Sequence, residues 1–201
     1  MQLRIISWNV RGLNAADKRA VVKSVLVGAR PHIVCLQETK IERMDLFLVR
    51  EVWGGRFVEW EFLPSRGASG GILVCWDNQV VIREEMERGG FSVSCLFNCV
   101  ADEFRWVFTR VYGPVLGFER GDFYEELENV AFRWQRPWCV CGDFNAVRFP
   151  FERTGSHRLS DAMVGSVDVL MSCSWLICRC KGAVHMVQWA DCVSARPFSC
   201  F

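Results

Sequence analysis

At 201 residues, 51% hydrophobic and 23% charged, the chain is long enough for one domain with a sizeable core and too apolar to read as disordered. Its formal net charge of +1 excludes a strong overall basic field, so any hold on nucleic acid must come from a local groove; a small phosphorylated substrate is equally allowed. No apolar run reaches membrane-spanning length, and the eleven cysteines, an odd count without a CxxC pair, do not read as a disulfide framework.

"LRIISWNV" reads as a strand from Leu3 to Trp8, apolar on both faces. Asn14 is expected to cap a helix through "AADKRAVVKSVLVGAR", with Val21, Val22, Val25 and Leu26 as its buried stripe and Pro31 marking its end. "HIVCLQET" is a second buried strand, ending on the polar cluster Gln37-Glu38-Thr39-Lys40. "RMDLFLVREVW" suits a short amphipathic helix. Five strand-like segments follow, "FVEWEFL", "GGILVCWD", "QVVIREE", "FSVSCLFNCV" and "FRWVFTRVYG", separated by turn residues such as "PSRGASGG" and "ERGG". "GDFYEELENVAFRW" reads as a helix with Leu127, Val130 and Ala131 inward. "WCVCGDFN" is a further strand, in which Cys139 and Cys141 share a face as core residues rather than metal ligands. A loop and a helix near 159–171 come next. Alternating strands and helices around a meander predict an α/β sandwich with a mixed sheet.

From Cys173 onward no period of 2 or 3.6 is visible, and five of the eleven cysteines fall in these last 29 residues. The expected organisation is one domain over 1–171 and an aberrant tail over 172–201.

Polar residues gather at strand ends: Asn9 on the first strand, Glu38 on the second, Tyr112 on "FTRVY", and Asp143 with Asn145 on "WCVCGDFN". In an open sheet such groups converge on one rim, where ligands bind. Glu38 is a hard oxygen ligand of the kind Mg²⁺ takes, while Asn9 and Asn145 orient a phosphate oxygen or a water without adding charge. Asp143 is placed to hold or deprotonate a water, and the Tyr112 hydroxyl to donate to a developing negative oxygen. Each has a plainer alternative: Asp-x-Asn as a turn or helix cap, Glu38 as a solvated strand end, Tyr112-Gly113-Pro114 as an ordinary turn.

The ordered strings "ISWNVRGLN", "VCLQETK", "SGGILVCWD", "RVYGP" and "GDFNAVRFPFERTG" resemble the endonuclease/exonuclease/phosphatase superfamily, and most of all the endonuclease domain of plant LINE-type (non-LTR) retrotransposon polyproteins, over about residues 1–171. The resemblance implies a four-layer α/β sandwich (DNase I-like), incomplete at the C-terminus, and Mg²⁺-dependent phosphodiester cleavage. It implies Glu38 as the main metal ligand beside Asn9, Tyr112 at the scissile phosphate, Asp143 positioning or activating the nucleophile, and Asn145 at the phosphate. The partner expected is DNA, with no membrane and a monomeric chain, intracellular and nuclear if functional.

The family's later Ser-Arg-(Leu/Ile)-Asp and final Ser-Asp-His strings are not in the sequence; His32, His157 and His185 read as surface or loop residues. Back-translated with chosen ordinary codons and read one nucleotide downstream, Val184–Phe201 gives F-T-W-S-N-G-R-T-A-S-R-L-D-R-F-L-V, and Trp175–Gly182 in the remaining frame gives V-D-L-P-L-Q-G-G. Both resemble the family's continuation, so frame shifts are expected near Ser172–Trp175 and Lys181–Val184. The expected outcome is a weakly active or inactive endonuclease site; the alternatives are a non-catalytic retroelement remnant and a small-molecule phosphatase of the same superfamily, against which "VRGLN" and "GDFNAVRFPFERTG" argue.

Overall fold

A computed structural model describes residues 3–66, 69–114, 117–144, 175–179 and 185–189. Its elements in order are β1 (Leu3–Asn9), α1 (Ala16–Ala29), β2 (Ile33–Gln37), α2 (Leu46–Trp53), β3 (Glu59–Arg66), β4 (Ser69–Trp76), β5 (Val81–Arg88), β6 (Ser92–Cys99), β7 (Arg105–Tyr112), α3 (Arg120–Trp134), β8 (Trp138–Asp143), β9 (Trp175–Arg179) and β10 (His185–Trp189). The described residues fall into two compact units. One holds those within Met1–Ile82, Asn98–Phe104 and Cys180–Phe201, the other those within Arg83–Phe97 and Arg105–Arg179.

The first unit is built on a sheet of order β10-β1-β2-β4-β3. β1 and β2 run parallel, which requires a crossover, and α1 supplies it. β4 lies antiparallel between β2 and β3. Strand alternation then divides the side chains. Ile6, Val34 and Leu36 pack with Val22 and Leu26 of α1 and Val49, Val52 and Trp53 of α2. Full burial of each such aliphatic side chain stabilises the fold by roughly 1.5–3 kcal/mol. Ser7, Asn9, Cys35 and Gln37 carry the opposite parity and face away from the two helices.

α1 departs from its expected design in two ways. Its N-cap is Ala15, with no side-chain cap; the Asn14 carboxamide instead donates to the Lys40 carbonyl at 2.9 Å. The helix start is thereby tied to the turn after β2. Val22 and Leu26 are buried as expected, but Val21 and Val25 are 61% and 38% exposed, because they lie one residue round the helix from the single stripe that meets the sheet. Arg19 holds the same end, donating to the carbonyls of Leu13 (2.8 Å) and Asn14 (2.6 Å) and pairing with Glu51 of α2 at 2.6 Å. α2 is capped at both ends: Asp45 accepts the Leu48 N–H at 2.8 Å, and Gly54 closes the helix at φ 79°.

The second unit carries a sheet of order β5-β6-β7-β8-β9, with β7, β8 and β9 parallel. Val107, Val111, Trp138 and Val140 form a core with Phe123, Leu127, Val130 and Trp134 of α3, against which Ala131 is partly buried. The Glu126 carboxylate, also on α3, accepts from the backbone N–H groups of Gly90 (2.8 Å) and Phe91 (3.2 Å) and from the Ser92 hydroxyl, fixing the β5–β6 turn. Cys35, Cys75, Cys95, Cys99, Cys139 and Cys141 are buried and in no disulfide, and burial pushes the Cys75 thiol far up from its usual range.

The stretch beyond Cys173, where the sequence shows no period, contributes β9 along β8 and β10 antiparallel along β1, with Leu3 opposite Trp189. The helix expected near 159–171 lies outside the described residues. Among the described residues no helix is long and apolar enough to cross a membrane.

Candidate active site

The first pair of predicted residues sits at the C-terminal ends of β1 and β2. Asn9 is the register partner of Gln37, and the chain beyond continues in step: the N–H groups of Val10, Gly12 and Leu13 donate to the carbonyls of Gln37 (3.0 Å), Glu38 (2.7 Å) and Thr39 (2.8 Å). Asn9 and Glu38 are thus brought side by side. The Asn9 Oδ1 accepts the Arg11 N–H at 3.1 Å, an Asx turn that orients its carboxamide. Glu38 itself has φ 49°, left-handed backbone that costs a non-glycine residue about 1 kcal/mol or more. Strain of this kind persists only where the surroundings enforce it.

Here the enforcement comes from β4. The N–H groups of Thr39 and Lys40 donate to the carbonyls of Gly71 and Gly70, both at 3.1 Å, so the chain after Glu38 is clamped to the start of that strand. Gly70 and Gly71 have φ of 79° and 85°, and a Cβ on Gly71 would strike the buried Thr39 Oγ1. The glycine pair in "SGGILVCWD" is what lets the backbone come that close.

The second pair belongs to the other sheet. Tyr112 of β7 and Asp143 of β8 are register partners at the ends of parallel strands, which puts them on one face, and the Gly113 N–H closes the pair on the Asp143 carbonyl at 2.6 Å. Both side chains are partly exposed. Gly142, at φ 149°, is a glycine because Arg110 crosses it: the guanidinium donates to the carbonyls of Val111 and of Cys141 (2.9 Å) and fills the space of a Cβ. Asn145 lies outside the described residues.

Chemically, Glu38 is a carboxylate beside a carboxamide, a hard oxygen set. Among the described residues no group of three His, Cys, Asp or Glu side chains gathers as a metal cluster. A carboxylate with a carboxamide is a donor set that a divalent cation keeping most of its water could take. One further oxygen fits it. Gln37 is buried, and its Oε1 has no hydrogen-bond partner. Sequence reasoning passed over Gln37, Gly71 and Arg110. Their signals were a carboxamide at the last inward position of a buried strand, a glycine pair opening a strand, and a cation inside "FTRVY".

The profile of the Endonuclease/Exonuclease/phosphatase family matches residues 6–187. The chain belongs to that family. An exodeoxyribonuclease of Bacillus subtilis (strain 168) is 30% identical over 156 residues, covering 71% of this chain and 58% of that protein, so the chain spans a little over half of that relative's length. Among solved structures, an AP endonuclease from Archaeoglobus fulgidus superposes at TM-score 0.61 with 17% identity, covering 85% of this chain and 70% of its own. The AP endonuclease LMAP from Leishmania major gives TM-score 0.61 and 15% identity over 85% and 66%. These likenesses show the fold, the DNase I-like α/β sandwich class of the family.

One cleft of this family member stands away from the strand ends. About 390 Å³ in volume, it is lined by Arg4, Arg30, His32, Trp53 and Asp77, among others, at the opposite ends of β1 and β2 from Asn9 and Glu38. His32, expected as a surface or loop residue, lies in the loop before β2 and is half-buried: its Nδ1 accepts the Arg4 N–H at 3.1 Å, and burial, with the Arg4 charge second, lowers its pKa. The arrangement is that of a neutral structural histidine. His157 and the side chain of His185 lie outside the described residues.

Proposed function

We propose that the chain is a divalent-cation-dependent phosphodiesterase domain acting on DNA as an endonuclease, of LINE-type retrotransposon origin, with little or no activity left. The observation that carries the chemistry is Glu38, held in left-handed backbone beside Asn9 at the ends of two parallel strands. Family membership and the exodeoxyribonuclease likeness support the reaction class. In this reading Glu38 and Asn9 hold Mg²⁺, which when bound supplies charge stabilisation to a phosphate oxygen. The Tyr112 hydroxyl donates to the scissile phosphate, Asp143 orients and deprotonates the attacking water, and Asn145 donates its amide to the phosphate.

The same residues leave a gap. Ser-Asp-His, the string the resemblance leads one to expect, occurs nowhere in these 201 residues. Loss of a general acid or base costs roughly 10²–10⁴-fold in rate. That absence also favours the second reading, a non-catalytic retroelement remnant that binds metal or nucleic acid at most. In this reading the tail from 172 to 201 arises from two shifts of reading frame, although the family match continues to residue 187; sequencing the coding DNA past codon 201 tests this, and no LINE-like continuation in another frame refutes it.

Nicking of supercoiled plasmid by the purified chain, with Mg²⁺ and with EDTA, separates the two readings. Slow Mg²⁺-dependent nicking, lost in Glu38→Ala while circular dichroism shows both proteins folded, is the expected outcome. A folded protein that never nicks makes the chain a remnant. Nicking that survives Glu38→Ala overturns the assignment of the metal.

A further inference from the structure

We propose that Gln37 is a positioning residue of the cation site, its Oε1 accepting a hydrogen bond from a water carried by the divalent ion; the proposal rests on the reading of Glu38 and Asn9 as the ion's protein ligands. Gln37 ends β2 and immediately precedes Glu38. It is the register partner of Asn9, so the two carboxamides share the face turned away from α1 and α2. Its side chain is 1% exposed and anchored at one end, where Nε2 meets the Ser7 Oγ at 2.9 Å. The other end, Oε1, is buried and unpartnered.

A buried carboxamide oxygen without a partner opposes folding. On this proposal it gains its partner when the site is loaded. Magnesium-like ions bind through one or two carboxylates and keep several waters, and those waters are donors that need acceptors. Gln37 Oε1 is such an acceptor, fixed by Ser7 and adjacent in sequence to the carboxylate that would hold the ion. Thr39 Oγ1, a second buried and unpartnered oxygen, flanks Glu38 on its other side. A hydroxyl can rotate toward whatever lies near; an anchored carboxamide cannot.

The test is a Mn²⁺ titration of the whole chain followed by water-proton relaxation, with the apo melting temperature measured alongside. Wild type binds, and Glu38→Ala loses the ion. Gln37→Met is expected to weaken the dissociation constant by roughly 10-fold or more, in the range seen for groups that hydrogen-bond to metal-bound ligands, while the apo melting temperature falls by no more than loss of the Ser7 hydrogen bond accounts for. Gln37→Glu, which keeps an oxygen at this end and adds charge, is expected to bind more tightly at neutral pH. A Gln37→Met protein that binds Mn²⁺ as wild type does, while Glu38→Ala does not, overturns the role of Gln37 alone. Should Gln37→Met fail to fold, an unchanged constant in Gln37→Glu overturns it equally. Mn²⁺ binding indifferent to Glu38, or no binding at all, removes the cation reading and this one with it.

Discussion

Gly71→Ala tests how the strained turn at Glu38 is maintained. Alanine at φ 85° costs about 1–2 kcal/mol through the left-handed backbone alone. The new methyl also meets the buried Thr39 Oγ1, with the Lys40 and Ser65 backbone nitrogens 3.3 and 3.4 Å away, so the neighbours must shift. Overpacking of that kind adds about 1–3 kcal/mol. Gly70→Ala is the internal control: φ is 79° but nothing lies within 4 Å, leaving the backbone cost only. At about 2–4 °C per kcal/mol for a chain of this size, Gly71→Ala should lower the melting temperature by about 4–20 °C and Gly70→Ala by about 2–8 °C. The contact with Thr39 is isolated by a double-mutant cycle: in a Thr39→Ala background Gly71→Ala should recover about 1 kcal/mol or more. Urea unfolding followed by circular dichroism measures wild type and the four variants. Equal costs at the two glycines, or additivity within about 0.5 kcal/mol in the cycle, would refute the steric account of the clamp.

Three other outcomes follow from described contacts. Glu38→Gly should raise stability by about 0.5–1 kcal/mol, by relieving the left-handed strain, and at the same time abolish Mn²⁺ binding; a loss of stability would mean that the Glu38 side chain holds the fold. Glu126→Ala leaves the N–H groups of Gly90 and Phe91 and the Ser92 hydroxyl without their acceptor, and should cost about 2–3 kcal/mol in urea unfolding. His32, whose pKa is lowered by burial, stays neutral in the fold but takes up a proton in the unfolded chain. Its contribution is therefore complete above the ordinary value of 6.5 and is lost as pH falls from there through the lowered folded value. Thermal melts between pH 7.5 and 5 should fall more steeply for wild type than for His32→Asn, and parallel curves would remove His32 from the account.

The elements were legible because their signals were local. Apolar runs marked β1, β2 and β8, apolar-rich segments set off by turn residues marked β3 to β7, and an amphipathic pattern marked α2. What the sequence concealed was which of several competing partners each group would take. Asn14 had the chemistry of a cap and spent it on the Lys40 carbonyl; Val21 and Val25 were apolar enough for a core and found no facing surface. β9 and β10 escaped notice because five-residue strands buried in cysteine-rich sequence carry too little alternation to register. At the site, residue types were readable and backbone was not: nothing in "LQETK" says that its glutamate is left-handed, or that a glycine pair thirty residues on makes it so.

The pairing of β10 with β1 also sets an order of events. β1 lies between β2, which follows it closely in sequence, and β10, which comes from the far end of the chain. During synthesis β1, β2 and β4 can assemble early, with α1 and α2 packed on one face, while the free edge of β1 waits for His185–Trp189 to emerge. Contacts this distant in sequence are slow to close, because loop entropy must be lost before the ladder forms. For much of its synthesis the nascent protein therefore exposes the edge that ends at Asn9, and chaperone capture or premature aggregation would act on that edge first.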